Sequence, residues 1–378
     1  MGTKKTPLIF GTRIGLLGGG QLARMLALKG SELGLEMHVL SPHAHDPAAQ
    51  VTRHWSQGSP DRIEDLIPFF RSVDLVTVES EFHNADLLAR AAQESKTPLH
   101  PTPQSLGILQ DRLSQKEQLI SAGLPTAPFL SVKNADDFTK ACVQFKNHFV
   151  LKKRRGGYDG YGTFILRSAK EARRLASTFD FQTTPCIAEA FVPFRRELAL
   201  IVSRNLNGDL AVLPLVETHQ VESRLDWLQG PVQHLGTKSL LKGLKKFLAE
   251  LDYRGTIAFE LFETKDRKLW INEVAPRVHN SGHYSLEALE MDQFRLHLSA
   301  LLGQEMRADL KVQAFAMTNL IGTGTSHPMA PNGLTGHLHW YGKNESRAGR
   351  KMGHVTYIGR SAKNLLQAAL RERKGFKL

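Results

Sequence analysis

The chain has 378 residues, 41% apolar and 23% charged, which is enough for two or three domains with a sizeable core. It contains no run of about 18 apolar residues, excluding a membrane-spanning helix, and its two cysteines, Cys142 and Cys186, exclude a disulfide framework or a four-cysteine zinc site. The net charge of +12 suits anionic small molecules or nucleic acid, but it is dispersed apart from Lys152–Arg155 and Arg371–Lys377. No basic stretch is interleaved with aromatic residues, so neither a nucleic-acid nor a membrane partner is expected. The first residues, MGTKKTPLIFGTR, lack a hydrophobic stretch of signal-peptide length, and a cytoplasmic location is expected.

Arg13–Leu17 reads as a short buried strand running into Gly18, Gly19 and Gly20 and then a helix from Gln21. Met37–Leu40 and Leu75–Val78 read as further strands, with helical stretches at Asp61–Ser72 and Asn84–Ser95. Alternating strands and helices predict a parallel, doubly wound α/β unit over the first hundred residues. Gly18–Ala23 fits the G-x-G-x-x-A pattern of dinucleotide sites. Such a site also wants an acid at the end of the second strand. Ser41 and Pro42 stand there, which argues against NAD. The turn can instead hold one phosphate on its backbone N–H groups, or serve only to pack helix on sheet.

Pro101, Pro103, Pro125 and Pro128 punctuate a boundary region that carries Asp111, Arg112 and Lys116 on a helical run. Phe149–Lys153 and Thr163–Leu166 read as strands. Between them, Gly156–Gly162 holds four glycines in seven residues. This is a hairpin flap with backbone N–H groups suited to a polyphosphate, preceded by the Lys152 charge, or else a plain surface hairpin. Ile187–Val192 is a predicted strand, followed by Leu198–Val202 and Leu210–Pro214, a helix at Ser239–Leu251 and a helical run at Leu286–Leu302.

Thr256–Phe262 and Leu269–Val274 alternate apolar and polar residues around a polar turn, which predicts a β-hairpin. With Asp266 and Arg267 at the turn, Glu263 is expected opposite Trp270 and Glu260 opposite Glu273. Facing carboxylates about 4.5–5.5 Å apart at Cβ repel, and either a shared hard cation relieves the repulsion or the pair simply faces solvent. Asn272 adds a neutral oxygen. Arg277, His279 and Asn280 follow in a loop suited to a substrate anion. Later, Tyr341–Lys343 and Gly349–His354 form basic, glycine-punctuated loops, suited to a phosphate or else a plain solvated surface.

GGGQLARM at Gly18, QDRLSQK at Gln110, VLKKRRGGYDGYG at Val150, EAFVPFRREL at Glu189, NEVAPRVHNSGHYS at Asn272 and YGKNESRAGRKMGHVT at Tyr341 occur in this order. Together they resemble the ATP-grasp superfamily and, within it, the N5-carboxyaminoimidazole ribonucleotide synthetases. The resemblance implies an α/β and α+β chain with a three-domain ATP-grasp fold. Residues 1–107 would form a Rossmann-like domain, 108–190 a small central domain with the glycine flap, and 191–378 the C-terminal ATP-grasp domain. It implies ATP-dependent carboxylation of 5-aminoimidazole ribonucleotide by bicarbonate, through carboxyphosphate, in purine biosynthesis. Glu260 and Glu273 would hold Mg²⁺, with Mn²⁺ as the alternative ion. Arg112, Lys152, Gly157, Tyr158, Asp159, Gly160, Gly162, Glu189, Val192, Glu197 and Asn272 would bind ATP. Arg277, His279, Asn280 and Lys343 would serve catalysis, with His279 as base. Gly20, Gln21, Glu79, Tyr158, Asp159, Lys343 and Arg350 would bind the ribonucleotide. The resemblance also implies a homodimer.

Two segments depart from the family pattern. Ser80 stands between Glu79 and Glu81, where an aromatic or aliphatic residue is usual. In Glu217–Leu225, Thr218 and Gln220 replace an asparagine and a histidine, while His219 lies one place early and Ser223-Arg224-Leu225 replaces Gly-Ile-Leu. The competing readings are a formate-using ATP-grasp transformylase, an oxidoreductase on the Gly18–Ala23 pattern, and a basic nucleic-acid binder. The intact HNSGH and GRKMGH strings, the missing acid and the dispersed charge argue against each in turn.

Overall fold

The computed structural model describes residues 9–157 and 160–378. Three sheets organise them. The first is fully parallel, in the order His54–Gln57, Glu36–Ser41, Arg13–Leu17, Leu75–Val78. Residues 14–17 and Leu75–Val78 are buried along their whole length because helices cover both faces of the sheet. The second is antiparallel, in the order Phe129–Val132, Cys186–Ala190, Phe149–Lys153, Thr163–Leu166. The third has nine antiparallel strands and runs from Leu269–Ala275 through Gly255–Thr264 and Phe194–Arg204 to Lys351–Gly359 and His337–Trp340.

Phe194–Arg204 shows why the third sheet is buried on both sides. Leu198, Leu200 and Val202 meet Leu240, Leu244, Phe247 and Leu248 of the helix Thr237–Glu250. Ala199 and Ile201, on the opposite face, meet Tyr284, Leu296 and Phe315. Alternation with period two therefore feeds two cores, and the strand reads as a continuous apolar run.

The predicted hairpin forms, with one change of register. Glu260 pairs with Glu273 as expected, but Glu263 pairs with Leu269, and Trp270 faces Phe262. A bulge between Glu260 and Leu261 supplies the one-residue offset. The turn end pairs tightly, with Thr264 N–H donating to the Lys268 carbonyl at 2.9 Å, and Arg267 takes the left-handed φ of 62°. The predicted helix Leu286–Leu302 is two helices, Ser285–Ala288 and Gln293–Leu301. Asp292 breaks it because its carboxylate caps the second helix on Phe294 N (2.9 Å) and Arg295 N (3.0 Å). The strand predicted over Ile187–Val192 is Cys186–Ala190, so Val192 lies on the connector beyond it. No helix among the described residues is long and apolar enough to cross a membrane.

Candidate active site

A cleft of about 1040 Å³ is lined by strands of the second and third sheets and by the turns that follow Arg13–Leu17 and Leu75–Val78 of the first. Its floor is the hairpin pair Glu260 and Glu273. Burial first, then the nearby carboxylates of Glu273 and Glu197, push the Glu260 carboxyl up to about 7. Gln220 Nε2 reaches Glu260 at 3.5 Å, and His279 Nε2 lies 3.7 Å from it. Glu273 accepts from Arg112 Nη2 at 2.7 Å. Two facing acids, with one of them held protonated near neutrality by its surroundings, form a donor set that fits a divalent cation.

This electrostatic state has a measurable consequence. In the metal-free protein Glu260 binds its proton more tightly than the ordinary value of 4.5 allows. Its contribution to stability is therefore present below pH about 4.5 and is lost as pH rises through about 7. A cation taken up by Glu260 must displace that proton. Calorimetric titration of Mg²⁺-ATP at pH 6 in buffers of different ionisation enthalpy is expected to show proton release. The release should fade above pH about 8 and be absent in Glu260→Gln. Equal release in that variant would assign the proton elsewhere.

One wall carries a lysine pair. Glu189 Oε2 lies 3.2 Å from both Lys116 Nζ and Lys152 Nζ. Burial opposes its charge, but the two ammonium groups prevail and hold the carboxyl below its ordinary range. Lys152 also donates to Asn272 Oδ1 at 3.1 Å. Arg112 is fixed by the carbonyls of Lys153 (3.1 Å) and Gly157 (3.2 Å) besides Glu273. Asp111 caps the helix Arg112–Ser121 on Leu113 N at 3.0 Å. It also receives Arg154 at 2.9 and 2.6 Å, tying this helix to the base of the glycine-rich connection.

The anion end is built from the loop after the hairpin. Arg277 is buried and forked on Glu81 through Nε and Nη2, with Nη2–Oε1 at 3.1 Å. Burial opposes the guanidinium charge, but Glu81 outweighs it and raises the pKa. His279 is neutral. Burial foremost, with the positive charges of Arg277 and Lys351, pushes its pKa well below 6.5. Its Nδ1 sits 2.8 Å from Ser281 Oγ, which leaves Nε2 as the nitrogen near Glu260. Asn280 and Asn319 exchange reciprocal amide hydrogen bonds of 3.0 and 2.6 Å.

Also on the lining, Lys343 Nζ donates to the Lys351 carbonyl at 2.6 Å and Arg350 Nη1 to the Glu345 carbonyl at 3.2 Å. The helix start differs from expectation. The N–H groups of Gly20 (2.5 Å) and Ala23 (3.0 Å) donate to the Glu79 carboxylate, so an internal carboxylate takes the place foreseen for a phosphate at Gly20. Burial raises the Glu79 pKa despite these two donors. Gly18 allows the close approach, with φ of 104° and the Glu79 side chain 2.6 Å from where a Cβ would stand.

The cleft brings together Gly20, Gln21, Glu79, Arg112, Lys152, Gly157, Gly160, Glu189, Val192, Glu197, Glu260, Asn272, Glu273, Arg277, His279, Asn280, Lys343 and Arg350. Gly162 is not part of its lining. Its carbonyl accepts from Lys153 N at 2.8 Å and closes the hairpin at φ 76°. Tyr158 and Asp159 lie outside the described residues. The departing segment is also placed: Thr218 and Gln220 line the cleft, while His219 stacks on Trp227 at 5.0 Å. Sequence reasoning assigned no role to Lys116, Glu81 or Asn319. Lys116 and Glu81 carried a signal, as charged residues inside motif segments. Asn319 carried none, since it lies mid-strand in an apolar run.

Comparison with known proteins gives the class first. An ATP-grasp domain model matches residues 117–294, a ribonucleotide synthetase preATP-grasp domain model residues 11–110, and a phosphoribosylaminoimidazole carboxylase C-terminal domain model residues 316–368. The chain has the ATP-grasp fold and is an ATP-dependent ligase. The N5-carboxyaminoimidazole ribonucleotide synthase of Synechococcus elongatus is 35% identical over 354 residues, covering 91% of this chain and 88% of the relative. That of Brucella melitensis is 35% identical over 357 residues, covering 94% and 98%. The Staphylococcus aureus N5-carboxyaminoimidazole synthetase complexed with ADP superposes with a TM-score of 0.88 at 31% identity, covering 99% of this chain and 100% of that one. The Aspergillus clavatus enzyme, in complex with ADP and 5-aminoimidazole ribonucleotide, superposes with a TM-score of 0.85 at 27% identity, covering 96% and 99%. The chain belongs to the N5-carboxyaminoimidazole ribonucleotide synthase family.

Proposed function

We propose that this cleft carboxylates 5-aminoimidazole ribonucleotide with bicarbonate and ATP, giving N5-carboxyaminoimidazole ribonucleotide, ADP and phosphate in purine biosynthesis. The carrying observation is the adjacency of two subsites: His279 of the anion loop lies 3.7 Å from Glu260 of the acid pair. The γ-phosphate and the bicarbonate therefore meet at one point. The proposal includes three domains, 1–107, 108–190 and 191–378, a homodimer and a cytoplasmic location.

Arg112 and Lys152 position the polyphosphate, with the Gly157–Gly160 connection beside it. Val192 and Glu197 face the adenosine, and Glu189 orients Lys152. Glu260, Glu273 and the Asn272 oxygen would hold Mg²⁺, or Mn²⁺ as the alternative, which offsets charge on the phosphates when bound. A bicarbonate oxygen attacks the γ-phosphorus, ADP leaves and carboxyphosphate forms. This step depends on positioning and charge neutralisation more than on covalent help. Arg277 holds the planar anion, for which a guanidinium is geometrically suited. Carboxyphosphate breaks to CO₂ and phosphate, and the exocyclic amine of the ribonucleotide attacks the CO₂ carbon. The amine proton passes to His279 Nε2, whose neutral ring can accept it. Lys343 and Arg350 hold the ribonucleotide phosphate, while Gln21 and Glu79 shape its seat.

ADP release is measured with Mg²⁺-ATP and bicarbonate, with and without the ribonucleotide. The expected result is strong stimulation by the ribonucleotide together with acid-labile incorporation of labelled bicarbonate. ATP turnover without stimulation would require a different acceptor. His279→Asn is expected to lower carboxylation by about 10²–10³-fold with little change in the KM for ATP. Full turnover in that variant would remove the base role.

A further inference from the structure

Arg277 and Glu81 lie 196 residues apart and form a bidentate pair on the cleft wall, with side chains 17% and 14% exposed. A guanidinium carries five N–H donors along two usable edges. Glu81 takes the side-on edge, Nε with Nη2, and the Val278 carbonyl accepts from Nη1 at 3.2 Å. The edge that remains to receive a planar anion is the end-on edge, Nη1 with Nη2. The Arg277 backbone is fixed as well, its N–H donating to the Ala275 carbonyl at 2.9 Å.

Glu81 is itself firmly placed. The strand Leu75–Val78 ends just before Glu79, whose carboxylate is locked on the Gly20 and Ala23 N–H groups. Two residues on, Glu81 turns to the anion loop. One short segment of the parallel domain thus anchors its own helix start and also sets the arginine of the ATP-grasp hairpin.

We propose that Glu81 is a positioning residue for bicarbonate. It holds Arg277 by the side-on edge and so presents the end-on edge to the anion. This rests on Arg277 being the bicarbonate ligand, as proposed above. The chemistry favours a carboxylate at residue 81, because two charged oxygens give Nε and Nη2 one acceptor each and so fix the guanidinium plane. A glutamine offers one oxygen and an N–H₂ group that repels the guanidinium edge.

The test is steady-state carboxylation in bicarbonate-depleted buffer with added bicarbonate, using Glu81→Gln, Glu81→Asp and Arg277→Lys. Glu81→Gln is expected to raise the bicarbonate KM about tenfold or more, leaving the KM for ATP within about twofold. Glu81→Asp, which keeps two oxygens, should recover part of that loss. If Arg277→Lys raises the bicarbonate KM and Glu81→Gln does not, Glu81 has no positioning role and the Arg277 reading stands. If neither variant changes it, Arg277 is not the bicarbonate ligand and the underlying reading fails. Uniform loss in Glu81→Gln, with both KM values raised alike and a lowered melting temperature, would mean that Glu81 only holds the fold, and the proposal falls. If Glu81→Gln does not fold, Glu81→Asp decides: a bicarbonate KM equal to that of the wild type overturns the proposal.

Discussion

Glu189→Ala is expected to lower the unfolding free energy by about 3–5 kcal/mol, the range for removing one partner of a buried ion pair. The Glu189 carboxylate is the shared counter-charge of Lys116 and Lys152, 3.2 Å from each ammonium. Lys116 is almost wholly buried, with its side chain 2% exposed. Without Glu189 its hydrogen-bond partners among the described residues are the Thr126 hydroxyl at 2.7 Å and the Ile271 carbonyl at 3.4 Å, with the Glu273 charge acting from farther off. Lys152 keeps Asn272. These neutral acceptors place the loss toward the low end of the range.

The same variant has a pH signature. Burial and the neighbouring Lys152 already depress the Lys116 pKa, and the Glu189 charge works against that depression. Removing Glu189 drives the pKa further down, so the variant sheds the proton more easily. A depressed lysine is destabilised in its charged form, and the penalty shrinks as pH rises through its folded pKa. The deficit relative to wild type should therefore be larger at pH 6 than at pH 9. Denaturant unfolding at both values measures it, and Lys116→Met in the Glu189→Ala background should recover part of the loss. A deficit below about 1 kcal/mol at both pH values would show that the carboxylate is not what compensates the lysines.

Local pattern carried much of the fold. Arg13–Leu17, Leu75–Val78, Phe149–Lys153 and Thr163–Leu166 have the ends that short apolar runs predict. The facing pair Glu260 and Glu273 followed from hairpin geometry alone, because both lie within one short-range element. The register between that pair and the turn did not, since the bulge after Glu260 is settled by how neighbouring strands pack and leaves no composition signal. The helix break at Asp292 was missed because Leu286–Leu302 keeps its apolar periodicity through the cap. The site residues were legible where a motif marked them. Their partners were not: Glu81 meets Arg277 across 196 residues and Asn280 meets Asn319 across 39, and such pairings exist only once the sheets are assembled. The Gly20 N–H group illustrates the converse, since the glycine turn was visible but the Glu79 carboxylate that fills it was not.

A loss of activity as large as that at His279 is expected at Glu273. Glu273→Ala should lower turnover at saturating ATP by about 10²–10³-fold, the range for deleting one preorganised electrostatic group at a transferring centre. The carboxylate has two tasks, facing Glu260 across the hairpin and holding Arg112 Nη2 at 2.7 Å. In the proposed metal site its loss would leave only Glu260 and Asn272 to hold a cation, and it frees the Arg112 guanidinium from its only anionic partner among the described residues. The fold should tolerate the change better than Glu189→Ala, because Arg112 keeps the Lys153 and Gly157 carbonyls and the loss of Glu273 removes its repulsion of Glu260. Thermal unfolding should accordingly shift little while turnover collapses. Excess Mg²⁺ separates the two tasks. If cation binding is the main loss, raising Mg²⁺ should recover part of the rate in Glu273→Ala. If Arg112 placement dominates, the rate should stay low at any Mg²⁺, and Arg112→Lys should reproduce it. A fall of less than about tenfold with Mg²⁺ near physiological levels would mean that Glu260 and Asn272 suffice and that the facing acid pair is not the metal site.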